Sequence, residues 1–251
     1  MKSSAPLRAV VDFAQNLIWP PQCPLSFEPV RHHGELSPAA WAGLTFVSAP
    51  QCRICGLPFD YPSAGADSSG TLCASCLARP PAYDLARAPL VYDDMSRDLI
   101  LPLKHADRRD TVTRFARWMW SSVGAEISPD TLVIPVPLHW RRLVKRRYNQ
   151  AGLLASAIAH LSRRSFDPDC LLRHRPTPSQ AGQGARSRKR NVAGAFRLSR
   201  ALSGEDILLV DDVLTTGATV NACARLLKRA GAGRVNVVTL CRVVRETDLT
   251  I

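Results

Sequence analysis

The stretch ILLVDDVLTTGATV, residues 207–220, constrains the fold of this chain more than any other. Its four leading apolar residues do not alternate with polar ones, which predicts a strand buried on both faces, as in the centre of a parallel sheet. Asp211 and Asp212 follow directly. Ligands of open α/β sheets bind at the carboxyl ends of the strands. We therefore expect this acidic pair to lie at a ligand site.

The loop after the acidic pair has the composition of an anion site. Residues 215–219 lead into a helical pattern, so backbone N–H groups and the positive end of the helix dipole would point at a bound phosphate. The carboxylates would repel that phosphate, and we expect them to bind sugar hydroxyls or Mg2+ instead. A sugar phosphate fits both parts, with a simple turn capped by aspartate as the alternative. The candidate binding residues are Val210, Asp211, Asp212, Thr215, Thr216, Gly217, Ala218 and Thr219.

From about Asp84 onward, strand patterns alternate with helical patterns. APLVY, TLVIPV, ILLV and VNVVTLC are strand candidates, and QAGLLASAIAHL is a helix candidate. This alternation predicts an open, mostly parallel α/β sheet over residues 84–251.

Four cysteines precede this domain with the spacing C-x2-C-x17-C-x2-C: Cys52, Cys55, Cys73 and Cys76. Two such pairs are typical of a closed, structural zinc site. A redox dithiol or buried free thiols are the alternatives. Cys23 stands alone, with Ser26 where a second cysteine would fall, so no second zinc site is expected. Cys170, Cys223 and Cys241 are expected to be small apolar core residues.

Three regions follow from these patterns. Residues 1–22 are expected to hold a short amphipathic helix, residues 23–83 a small zinc-ribbon-like segment, and residues 84–251 the α/β domain. There is neither a signal-peptide pattern nor an apolar run of membrane-spanning length, so we expect a cytoplasmic protein without a membrane span. That compartment is reducing, which favours metal binding over disulfides.

Several motifs carry a resemblance to known families. ILLVDDVLTTGATV resembles the 5-phosphoribosyl-1-pyrophosphate (PRPP) binding motif of type I phosphoribosyltransferases. CRICGLPF, LPLKHADR, IPVPLHWRRLVKRRYNQA and TPSQAGQGARSRKRNVAGAF resemble the competence protein F (ComF) family. Members of that family join a zinc-binding N-terminal segment to a phosphoribosyltransferase domain. The family often has a further cysteine pair near the N-terminus, where this chain has only Cys23.

The resemblance implies roles for individual residues. Asp211 and Asp212, the candidate catalytic pair, would meet the ribose hydroxyls and Mg2+, and residues 215–219 would hold the 5-phosphate. The residues implied to face pyrophosphate, or to lie in a loop that closes over PRPP, are Lys104, Arg141, Arg142, Arg146, Arg147, Gln180 and Arg186, with His105 beside Lys104. Arginine forks bind phosphate oxygens in pairs, although a solvated basic face remains the alternative for each arginine.

Two functions are consistent with these patterns. The first is Mg2+-dependent transfer of a phosphoribosyl group from PRPP to an amine or nucleobase. The second is a non-catalytic accessory role in DNA uptake or processing, with a nucleotide, single-stranded DNA or DNA-uptake proteins as partners. All of the net charge of +12 lies beyond residue 83: residues 1–83 hold 5 basic and 5 acidic residues, and the remainder hold 28 and 16. Such a surface attracts polyphosphates or nucleic acid.

Overall fold

The computed structural model describes Leu17 and residues 19–59, 70–104, 111–138, 148–174 and 194–245, apart from the side chain of Lys104. The predicted N-terminal helix lies almost wholly outside these residues. Within them, no helix is long and apolar enough to cross a membrane.

A parallel sheet forms the centre of the α/β domain, as the alternating pattern predicted. Its strands are β1 (Leu85–Arg87), β2 (Leu90–Val91), β3 (Leu132–Pro135), β6 (Ile207–Leu214) and β7 (Val235–Arg242). The strand order is β1-β7-β6-β3, and β2 continues the β1 edge beside β7. A separate antiparallel pair joins β4 (Leu171–Arg173) to β5 (Phe196–Leu198). The predicted buried strand β6 therefore lies inside the sheet, between β7 and β3.

Helices cover both faces of this sheet. The helices of the described residues are α1 (Pro38–Ala42), α2 (Ala74–Ala78), α3 (Asp94–Ile100), α4 (Val112–Val123), α5 (Gln150–Ser162) and α6 (Ala218–Arg229), with short 3-10 turns at Leu101–Lys104 and Gly124–Glu126. Of these, α4 and α5 cover one face of the sheet and α6 covers the other. Alternate residues of β6 face opposite ways because side chains of a strand alternate. Leu208 and Val210 belong to the core with α4 and α5, while Ile207 and Leu209 belong to the core with α6.

The N-terminal region contains two small ribbons. The first ribbon, residues 21–43, has an antiparallel bridge between Gln22 and Pro29 and ends with α1. The second ribbon, residues 50–59 and 70–78, has a bridge between Gln51 and Pro58 and ends with α2. Their buried residues join opposite cores: those of the first pack with α3 and α4, and those of the second pack with α6. The cysteine spacing alone had indicated one ribbon.

Cys170, Cys223 and Cys241 are all fully buried, which confirms their expected role in the core. Burial raises the pKa of the Cys241 thiol to about 12. These thiols are therefore neutral packing groups at physiological pH.

Candidate functional site

The acidic pair lies inside the second half of β6. The sequence indicated that the strand ends before the aspartates, but it continues to Leu214 because β7 supplies partners along its whole length, including Thr239 opposite Asp211. Each carboxylate also accepts a backbone hydrogen bond: Asp211 from the Asp212 N–H at 2.9 Å, and Asp212 from the Val213 N–H at 2.7 Å. Both side chains are held close to the backbone at the carboxyl end of a central strand.

The environment of Asp211 disfavours its negative charge. Burial, followed by the negative charge of Asp212, raises the pKa of Asp211 well above the usual aspartate value, while the nearby guanidinium of Arg173 acts in the opposite direction. A partly buried carboxylate beside a like charge is stabilised by a cation or by hydroxyl donors. The pair therefore fits hard oxygen-binding partners such as Mg2+ and ribose hydroxyls.

The predicted phosphate loop follows directly. Thr215, Thr216 and Gly217 form a bend, and α6 begins at Ala218. Gly217 has φ of +69°, a left-handed conformation that favours glycine. The first N–H groups of an α-helix have no acceptor within the helix. They open here on the same edge of the sheet as Asp211, so the loop can bind an anion next to a site for hydroxyls.

Arg173 is a site residue that the sequence did not reveal. It ends β4, pairs with Phe196 of β5, and its guanidinium lies 5.5 Å from the centre of the Phe196 ring. The adjoining His174 N–H donates to the Ala195 carbonyl at 3.1 Å. These contacts bring together His174 and Ala195, which lie on either side of the segment 175–193 in the sequence. No local motif marks Arg173, since its relation to Asp211 arises only when the β4–β5 pair packs against the sheet.

The predicted basic segment 139–147 is flanked by anchored residues. Asn149 donates from Nδ2 to the Val136 carbonyl at 3.1 Å, and the Tyr148 hydroxyl donates to the Leu103 carbonyl. The Val136 N–H in turn donates to the Val210 carbonyl at 2.8 Å, so Asn149 lies near the acidic pair. The remaining implied residues are outside the described residues: His105, Arg141, Arg142, Arg146, Arg147, Gln180 and Arg186.

The four clustered cysteines fit a tetrahedral metal site. Their Sγ atoms lie within 4.8 Å of one another, and Cys55 Sγ and Cys73 Sγ are 3.7 Å apart. Zinc–sulfur bonds of about 2.3 Å in a tetrahedron place sulfurs about 3.8 Å apart. All four side chains are buried, and the Cys73 N–H donates to Cys52 Sγ at 3.4 Å. Four thiolates would fill the tetrahedral coordination of zinc, so no position would remain for water or a substrate. The donor set therefore fits structural zinc, as predicted.

The second ribbon is attached to β1 of the sheet, where the Ala86 N–H donates to the Ile54 carbonyl. The buried Arg87 guanidinium donates to the Arg53 carbonyl at 3.1 Å and to the Glu126 carboxylate at 2.9 Å. A side chain on Gly56 would place its Cβ 2.6 Å from the Ala86 carbonyl oxygen, so glycine is required there by space as well as by its φ of +66°.

Contacts from the linker after the second ribbon reach α6 itself. The Ala82 N–H donates to Asn221 Oδ1 at 2.7 Å, and Asn221 lies in the first turn of that helix. The buried Tyr83 hydroxyl lies 3.7 Å from where a β-carbon on Gly217 would be. The zinc-binding half therefore supports one wall of the candidate site.

Family models match both parts of the chain. The phosphoribosyl transferase domain matches residues 146–249, and the double zinc ribbon domain matches residues 14–77. Together with the parallel sheet and the cysteine cluster, they define a protein that joins a phosphoribosyltransferase-type domain to an N-terminal double ribbon. A hypoxanthine phosphoribosyltransferase from Staphylococcus aureus aligns at 13% identity with a TM-score of 0.33, covering 57% of this chain and 68% of that one.

Whole-chain relatives identify the family. DNA utilization protein YhgH of Salmonella typhimurium is 35% identical over 91% of this chain and 97% of its own. Competence protein ComFC of Bacillus subtilis is 30% identical, over 76% and 77% respectively, and competence protein F of Haemophilus influenzae is 29% identical, over 78% and 86%. The chain belongs to this family of competence F and YhgH proteins, as the motifs indicated.

Proposed function

We propose that this chain binds PRPP together with Mg2+ and transfers the phosphoribosyl group to an acceptor. The observation that carries the proposal is the juxtaposition of Asp211 with the loop at Gly217 on one edge of the central strand. The carboxylates suit the ribose hydroxyls, and the start of α6 suits the 5-phosphate. Arg173 adds a positive charge beside Asp211, where the pyrophosphate end of the ligand would lie.

Phosphoribosyl transfer needs positioning and charge stabilisation rather than a nucleophilic side chain. The bond from ribose C1 to a pyrophosphate oxygen breaks, the electron pair leaves with pyrophosphate, and the acceptor nitrogen bonds to C1 and loses a proton. Mg2+, when bound, neutralises charge that develops on the leaving pyrophosphate. Asp211 and Asp212 would fix the ribose, the α6 N–H groups would fix the phosphate, and Arg173 would stabilise the departing anion.

The second ribbon and Tyr83 flank the phosphate loop, so we propose that this ribbon helps to form the acceptor pocket for an amine or nucleobase. The relatives are named for DNA utilization and competence. We propose a related role for this chain in handling incoming DNA or its nucleotides, in the cytoplasm, where all eight cysteines can stay reduced.

Calorimetric titration with PRPP and Mg2+ tests the donor site. Asp211→Asn/Asp212→Asn should weaken binding at least about a hundredfold, because two charged hydrogen-bond acceptors are lost. Asp130→Asn, at an exposed aspartate before β3, is the matched control and should bind as the unaltered protein does. Absence of PRPP binding by the unaltered protein would refute the proposal.

Release of pyrophosphate in the presence of a panel of amines and nucleobases tests catalysis. We expect one acceptor class to accelerate release in the unaltered protein and in Asp130→Asn, and none to do so in the double variant. If PRPP binds but no acceptor causes release of pyrophosphate, the chain binds PRPP without catalysing transfer.

An accessory role in binding single-stranded DNA is the second candidate. The observation that favours it is an exposed aromatic pair: the Trp41 and Phe46 rings pack in a tilted arrangement with their centres 4.9 Å apart, and they expose 45% and 37% of their surface. Aromatic faces on a basic protein stack with unpaired bases. DNA binding that weakens steeply with salt, survives Asp211→Asn/Asp212→Asn and is lost in Trp41→Ala/Phe46→Ala would favour this role.

A further inference from the structure

The two N-terminal ribbons share one backbone framework, and their first halves are displaced by 29 residues. The bridge from Gln22 to Pro29 in the first ribbon corresponds to the bridge from Gln51 to Pro58 in the second. The turns inside these bridges have the same hydrogen bonds. The Phe27 N–H donates to the Cys23 carbonyl at 3.0 Å, and the Gly56 N–H donates to the Cys52 carbonyl at 2.9 Å.

Backbone angles strengthen the correspondence. Phe27 has φ of +59°, which matches the +66° of Gly56. A bulky residue with positive φ is strained and is retained only where the surrounding structure imposes that conformation. The first ribbon therefore keeps the turn of a zinc knuckle even though its own sequence disfavours it.

The second halves of the ribbons also correspond. Each ends in a five-residue helix, α1 or α2, and the preceding residues Ser37 and Cys73 have nearly equal angles, with φ of −64° and −73° and ψ of 157° in both. Ser37 therefore corresponds to Cys73, and Ala40 to Cys76. With the turns aligned as well, the first ribbon carries Cys23, Ser26, Ser37 and Ala40 at the positions of Cys52, Cys55, Cys73 and Cys76.

These four side chains do not form a zinc-binding donor set. Ser26 Oγ and Ser37 Oγ lie 3.0 Å apart and share a hydrogen bond, whereas the equivalent Cys55 and Cys73 sulfurs are 3.7 Å apart. The methyl group of Ala40 has no lone pair, and Cys23 supplies the single thiol. Burial by itself raises the pKa of Cys23, but hydrogen bonds from Ser26 outweigh it and leave the pKa lowered to about 7. The Ser26 N–H donates to Cys23 Sγ at 3.5 Å.

We propose that the first ribbon folds without metal, held by the hydrogen bond between Ser26 and Ser37 and by burial against the domain core, so that each chain binds one zinc ion. The double-ribbon family model implies two metal sites, and the residues of the first do not fit one. Cys23 and Ala40 are almost completely buried in the core that contains α4. Dependence on zinc is thereby confined to the second ribbon, the half that supports the phosphate loop.

Zinc content per chain, measured by plasma mass spectrometry on the purified protein, tests the proposal directly. We expect a ratio of one, and a ratio of two or of zero would overturn it. Two equivalent substitutions provide a matched pair. Cys52→Ser should reduce the ratio toward zero, while Cys23→Ser should leave it at one; a loss of zinc in Cys23→Ser would also overturn the proposal.

Restoring the ligands tests the correspondence between the ribbons. In Ser26→Cys/Ser37→Cys/Ala40→Cys the first ribbon again has four thiols, and the zinc ratio should rise from one to two. A soluble, folded variant that still binds one zinc would contradict the assigned positions. Ser26→Ala/Ser37→Ala should retain one zinc while lowering the midpoint of thermal unfolding, so the proposal remains open to refutation even if the triple variant does not fold.

Discussion

The guanidinium of Arg242 donates a hydrogen bond to the carbonyl oxygen of Cys55 and lies 3.4 Å from its Sγ atom. Arg242 ends β7, where its backbone is paired with Leu214 of β6, and Leu214 leads into the bend at Gly217. One side chain and one pair of strands therefore connect a zinc ligand to the phosphate loop. A disturbance at the metal site has a short physical route to the ligand site.

Arg242→Met should loosen the zinc site. Methionine keeps much of the length of the side chain but removes both donors, leaving the buried Cys55 carbonyl without this partner, at a cost of about 1–3 kcal/mol. We expect faster transfer of zinc to a chelating dye and a lower midpoint of urea unfolding. Arg234→Met is the matched control, since Arg234 is exposed and lies at the opposite end of β7. Equal rates of zinc transfer from both variants would contradict this connection.

The local parts of the site could be predicted from the sequence. The order of strand, acidic pair, glycine bend and helix is written within residues 207–220, and the spacing of Cys52 and Cys55 with Cys73 and Cys76 is equally local. Hydrophobic periodicity and ligand spacing both act over a few residues. The length of β6 was not predictable in this way, because the ladder past Asp211 depends on partners in β7.

Features produced by tertiary packing escaped sequence reasoning. Arg173 lies 38 positions before Asp211 in the sequence, yet its positive charge acts to lower the pKa of Asp211. No sequence motif near Arg173 marks it as a candidate site residue. The first ribbon was missed for a different reason. It has the backbone of a zinc ribbon without the cysteine ligands, so Ser26 and Ser37 show no metal-site pattern in the sequence. The backbone hydrogen bonds shared with the second ribbon reveal that these serines occupy ligand positions.

Gly217→Ala should separate backbone strain from loss of ligand binding. The φ of +69° makes alanine unfavourable by about 1–2 kcal/mol, although there is ordinary van der Waals space for a β-carbon. We expect lower stability and weaker PRPP binding, because the start of α6 shifts. Gly231→Ala, at φ of +91° beyond the other end of α6, should cost similar stability in urea unfolding. It should bind PRPP normally, and equal weakening in both variants would indicate a general effect of strain.

Arg173→Met should weaken PRPP binding about tenfold, because a charged hydrogen-bond donor to the ligand is lost. Arg197→Met is its control. Arg197 lies on the paired strand β5, opposite Leu172, and is exposed, so its removal changes net charge equally without touching the site. Titration calorimetry with PRPP at low and at moderate salt distinguishes a direct contact of Arg173 with the ligand from a general effect of net charge. If both variants lose the same affinity and the loss disappears with salt, Arg173 acts only through the general field of the protein.

The pKa of Asp211 predicts how stability depends on pH in the ligand-free protein. Burial and the charge of Asp212 raise this pKa in the folded state, so the folded protein holds the proton more tightly than the unfolded chain does. The protonated Asp211 carboxyl contributes to the free energy of unfolding. That contribution is fully present below the unfolded pKa of about 3.9 and is lost as pH rises through the raised folded pKa. Asp211→Asn removes this titration. The free energy of unfolding of the variant, relative to the unaltered protein, should therefore increase as pH rises above about 4.

Urea unfolding of both proteins across the range from about pH 4 to pH 8 measures this difference. Asp130→Asn removes an exposed aspartate and is the control, for which the difference from the unaltered protein should stay nearly constant with pH. A carboxylate whose pKa is lowered by an ion pair would change stability mainly below its unfolded pKa, so the difference would then stay nearly constant from about pH 4 to pH 8. Mg2+ that binds the Asp211 carboxylate should stabilise the unaltered protein more than Asp211→Asn. When the urea titrations are repeated with Mg2+, the difference in the free energy of unfolding between these two proteins should therefore become smaller.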